Sequence, residues 1–103
     1  MKVITICGSI RFKDEMMRVA ERMELDGNVV LVPIIPTSDN IDSYTEAEIN
    51  TLGKMHKEKI KLSDAILVVN VNNYVGSSTR SEIDFAKSLN KEIIYYTDLE
   101  KKI

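Results

Sequence analysis

The chain has 103 residues, 44% of them hydrophobic, which supports one ordinary core, so a single domain spanning residues 1–103 is expected. Fourteen basic residues against sixteen acidic ones leave a formal charge of −2, with no block of like charge long enough to act as a nucleic-acid arm. No segment approaches the roughly 20 apolar residues of a membrane span, and the lone Cys7 excludes an internal disulfide. The expectation is therefore a soluble, cytoplasmic protein with no signal peptide and neither nucleic acid nor membrane as partner.

The first apolar run, "VITIC" (residues 3–7), reads as a strand. It leads into "CGSIR", where Gly8 permits a tight turn and Ser9 can cap the following helix while leaving amides directed at a ligand. Arg11 adds a guanidinium suited to an anion. Gly-Ser is also an ordinary helix start, so both readings stand. A helix over residues 10–26 carries Phe12, Met16, Ala20 and Met23 on one stripe, with the methionines as core filler, and Gly27 stops it. Cys7, at the strand end, reads as a small buried hydrophobe.

A second strand, "VVLVPII" (29–35), precedes "PTSDNIDS" (36–43), a polar loop placed to act as a flap. The next helix runs from Tyr44 to Leu62, with Ser43 and Glu46 in capping-box spacing and an apolar stripe through Ile49, Leu52 and Ile60. His56 lies on that stripe and reads first as a satisfied core histidine. Lys54, Lys57, Lys59 and Lys61 form a solvated face, and Asp64 reads as a cap or turn residue.

The third strand, "AILVVNV" (65–71), is followed by "GSSTRSEIDFA", a helix starting near Thr79 with Ile83, Phe85, Ala86 and Leu89 on its apolar side. Thr79 and Glu82 have the spacing of a capping box, so Glu82 is either a cap or a reactive carboxylate held ionised near the positive end of the helix. The last run is "EIIYY" (92–96).

Four continuous apolar runs alternating with helices define an α/β three-layer sandwich, Rossmann-like or flavodoxin-like, with a parallel sheet of four to five strands in the order 2-1-3-4. The order reverses between strands 1 and 3, so the loops after Cys7 and Val71 should flank one crevice.

In the order and spacing of "CGSIR", "HKEKIKLSDAILVVNV" and "GSSTRSEIDFAKSLNKEIIYY", nearly the whole chain resembles the nucleoside 2-deoxyribosyltransferase superfamily, which includes the 2′-deoxynucleoside 5′-phosphate N-hydrolases. The resemblance implies that Glu82 is the nucleophile at C1′ of a deoxyribose. It implies that Gly8, Ser9, Ile10, Arg11, Gly76, Ser77 and Ser78 hold the substrate. His56 falls where many members carry an aspartate, as a catalytic proton donor for the leaving base. Thr5 stands at the members' strand-1 tyrosine, and the chain ends soon after strand 4, without their further C-terminal element. The implied activity is cleavage of the N-glycosidic bond of a 2′-deoxynucleoside or its 5′-monophosphate, by hydrolysis or base exchange, with no cofactor or metal and with a homodimer or higher homo-oligomer as the working form. The alternative is a non-catalytic nucleotide-binding sensor on the same fold.

Overall fold

The computed structural model describes residues 1–37 and 43–100. Strands β1 (Val3–Cys7), β2 (Val29–Leu31), β3 (Ala65–Val68) and β4 (Glu92–Tyr95) form an all-parallel sheet in the order β2-β1-β3-β4. Helices α1 (Lys13–Leu25), α2 (Glu46–Leu62) and α3 (Ser77–Ser88) make the crossovers, and a short α4 (Tyr96–Glu100), not expected from the sequence, follows β4. Most of the expected flap, residues 38–42, lies outside the described residues.

The period of two along each strand sorts the core into two layers. Ile4, Ile6, Ala65 and Leu67 face α1 and join Met16 and Val19. Cys7, Ile66 and Val68 face the other way and join Ile60 of α2 and Ile83 and Ala86 of α3. Thr5 shares that face, where its hydroxyl donates to the Lys59 carbonyl and pairs with Ser63 Oγ. It anchors the end of α2 to the sheet. The right-handed rule requires this division, because the chain steps from β1 to β2 in one direction and then crosses back to β3 and β4.

Several boundaries differ from expectation. β2 stops at Leu31, ahead of Pro33, which has no amide for the ladder. β3 ends at Val68, since the following loop turns through Asn72 and Asn73, both in the left-handed region. Gly27 has a φ of +95° and stops α1 as expected. The box at the start of α2 is built by Thr45 and Glu48, not Ser43 and Glu46. Thr45 Oγ1 accepts the Glu48 amide at 3.1 Å, and Glu48 accepts the Thr45 amide at 2.8 Å. Asp64 is a strand clamp, its carboxylate accepting the Val3 amide at 2.8 Å.

Candidate functional site

At the carboxyl edge of the sheet lies a cavity of about 520 Å³, within the range of small-molecule sites. One wall is the turn after β1, Gly8 to Ile10, and the other is the start of α3, Gly76 to Thr79. The two expected loops thus meet. A Cβ on Gly8 would lie 3.2 Å from the Val69 carbonyl oxygen, so glycine lets this turn pass close to the end of β3. Ser9 caps the turn at Ile10–Phe12 by accepting the Arg11 amide. Arg11 itself does not line the cavity. Its guanidinium stacks 4.2 Å from the centre of the Tyr74 ring, and Tyr74 does line it.

Glu82 projects into the cavity, and the cap reading fails for it. α3 begins at Ser77 with Gly76 as its N-cap, so Thr79 is the third helical residue, buried at 4% exposure, and Glu82 is the sixth. A capping box needs its hydroxyl residue outside the helix, and with Gly76 rather than Thr79 as N-cap this one starts three residues early. Beyond the first turn the helix dipole also loses most of its hold on the carboxylate. Burial dominates and pushes the Glu82 carboxyl up to about 7, opposed by a Cys7 hydrogen bond and by Lys57. The expectation of a group held ionised by the helix end is corrected accordingly.

His56, in the middle of α2, is 7% exposed, and its Nε2 lies 3.6 Å from a Glu82 carboxylate oxygen and 3.5 Å from Cys7 Sγ. Burial, helped by Lys59, lowers its pKa to about 4. The ring is therefore neutral at pH 7, its contact with Glu82 is not an ion pair, and it holds no proton to give as an imidazolium. Nor is it a satisfied core histidine, since its Nδ1 is buried without a partner among the described residues. Cys7 is fully buried, as expected, but its sulfur is a polar member of this cluster, and burial, then the Glu82 charge, push its thiol pKa well up.

The apolar wall was missed in the sequence. Ile49 and Leu52, assigned to the core stripe, line the cavity together with Tyr44 and Met55. The stripe serves the cavity in its first half and the core, through Ile60, in its second. Lys59 also departs from the solvated face, its Nζ donating to the Val32 carbonyl at 2.7 Å. Lys54 and Lys57 border a shallower depression that shares Ser77, Ser78 and Glu82 with the main cavity. No family model and no curated protein matches the chain.

Proposed function

We propose that the protein cleaves the N-glycosidic bond of a 2′-deoxynucleoside or its 5′-monophosphate, with Glu82 as nucleophile. The observation that carries this reading is the position of Glu82, a carboxylate that caps nothing and borders a cavity walled by a glycine turn, hydroxyls and apolar side chains. In its ionised form Glu82 attacks C1′. The bond from carboxylate oxygen to C1′ forms as the C1′–N bond breaks, and the electron pair leaves with the base, which takes a proton from water in the open cavity. Water, or a second base in exchange, then displaces the ester, giving net retention as in retaining glycosidases. His56 Nε2, in the tautomer that carries the ring proton there, is positioned to orient the carboxylate. The serines at the α3 terminus, with Gly8 and Ser9 opposite, suit the 5′ end, and the wall of Ile49, Leu52 and Met55 suits the base.

A second reading, nucleotide binding without turnover, is favoured by Thr5, which stands where the resembled family carries a tyrosine and whose hydroxyl donates to the Lys59 carbonyl. Incubation with a panel of deoxynucleosides and deoxynucleotides, with and without an acceptor base, separates the readings by chromatography of free base. Release alone marks a hydrolase, exchange a transferase, and binding without release a sensor. The proposal includes a homodimer as the working form.

A further inference from the structure

Cys7 from the end of β1, His56 from the middle of α2 and Glu82 from α3 bring one sulfur, one nitrogen and one carboxylate oxygen within 4.8 Å of one another. They are the only such group among the described residues. We propose that these three side chains form a binding site for a single thiophilic divalent cation, zinc above all, whose fourth position opens into the cavity. The inference stands on their geometry and does not depend on the glycosidase reading.

The spacing fits the metal. With Zn–S near 2.3 Å and Zn–N and Zn–O near 2.0–2.1 Å, the edges of a tetrahedral site measure about 3.5 Å from sulfur to nitrogen and about 3.3 Å from nitrogen to oxygen. The distances from Nε2 are 3.5 Å to Cys7 Sγ and 3.6 Å to the Glu82 oxygen. The third edge, from Cys7 Sγ to the Glu82 oxygen, lies within 4.8 Å where a tetrahedral site needs about 3.5 Å, so seating a cation takes a side-chain movement of up to about an ångström on that edge. The donor set is selective, because magnesium and calcium take oxygen ligands, whereas a thiolate with an imidazole favours zinc or cobalt. Charge balances as well. A thiolate and a carboxylate cannot both be buried alone, but with one divalent cation and a neutral imidazole the cluster carries no net charge. Three protein ligands and one open position form the arrangement of catalytic zinc sites, and His56 and Glu82 both border the cavity from which the fourth ligand would come.

Cobalt(II) is the direct probe, added to the tag-free, reduced chain in the absence of any nucleoside. The expected result is one equivalent bound, intense visible bands of tetrahedral cobalt and a near-ultraviolet thiolate charge-transfer band, all abolished by one equivalent of zinc. Cys7→Ser should remove the charge-transfer band. Cys7→Ser and Glu82→Gln should each weaken zinc binding beyond the roughly 10- to 100-fold that loss of a ligand's hydrogen-bonding partner costs. Glu58→Gln, on an exposed carboxylate paired with Lys61, should leave binding unchanged. Should the Cys7 variant fail to fold, zinc X-ray absorption on the wild-type chain replaces it, with one sulfur at about 2.3 Å and lighter ligands at about 2.0 Å as the expected shell. A weak octahedral cobalt spectrum, a shell without sulfur, or wild-type affinity in either variant would overturn the site.

Discussion

Glu82 carries the most at the residue scale, because one substitution separates chemistry from architecture. Glutamine keeps its size, no cap depends on it and it carries no penalty for ionising in a buried site, so Glu82→Gln should fold and be at least as stable as wild type at neutral pH. Base release should fall by orders of magnitude. Release at the wild-type rate would end the nucleophile reading. The buried pair also predicts a pH signature, measured with chelator present. His56 stays neutral down to about 4 when folded but takes up a proton near 6.5 when unfolded, so its contribution to stability rises with pH between those values. Glu82 keeps its proton up to about 7 when folded and loses it near 4.5 when unfolded, so its contribution falls as pH rises through that window. The two slopes oppose each other in the wild type. Glu82→Gln removes one of them, and melting temperature relative to wild type should climb from pH 4.5 to 7. A constant difference across that range would contradict the burial of Glu82. Arg11 acts through Tyr74, so Arg11→Ala should weaken nucleoside and nucleotide alike, by about two- to fivefold, as expected of an exposed cation–π contact. A loss confined to the nucleotide would place Arg11 on the phosphate instead.

At the scale of elements, α2 carries both His56 and the apolar wall of the cavity, and its start is fixed by the reciprocal bonds of Thr45 and Glu48. Thr45→Ala should cost about 1 kcal/mol in denaturant unfolding. An unchanged midpoint would mean that packing alone sets the register of α2. The turn after β1 is held more tightly. A methyl on Gly8 meets a backbone oxygen at 3.2 Å, and backbone at the centre of the sheet yields little. Gly8→Ala should therefore destabilise by roughly 1–3 kcal/mol, and a fully stable variant would show that β1 and β3 can part at their carboxyl ends.

At the scale of the whole molecule, the cavity exists because the sheet order reverses between β1 and β3, which splays the loops after them to opposite sides. Exposed apolar side chains, Met17 and Leu25 on α1 and Leu89 just after α3, remain on the helix layers. The proposed dimer should appear as twice the chain mass in light scattering, and a monomer at high micromolar concentration would exclude it. Among the described residues no helix is long and apolar enough to cross a membrane.

Sequence by itself determined the α/β alternation, the strand order and the meeting of "CGSIR" with the start of α3, because continuous β-branched runs, glycine stops and the right-handed crossover rule act locally and leave few topologies open. It also brought out Glu82, but not whether it caps, since a shift of three residues in the helix start reverses the answer and the spacing is the same in both cases. Only the tertiary structure decided the rest. Cys7, His56 and Glu82 are separated by 49 and 26 residues along the chain, and each alone has an ordinary structural reading. They become one cluster because the pleat of β1 turns Cys7 toward the layer that holds α2 and α3, and burial there, a property of the assembled core, lowers the pKa of His56 and raises that of Glu82.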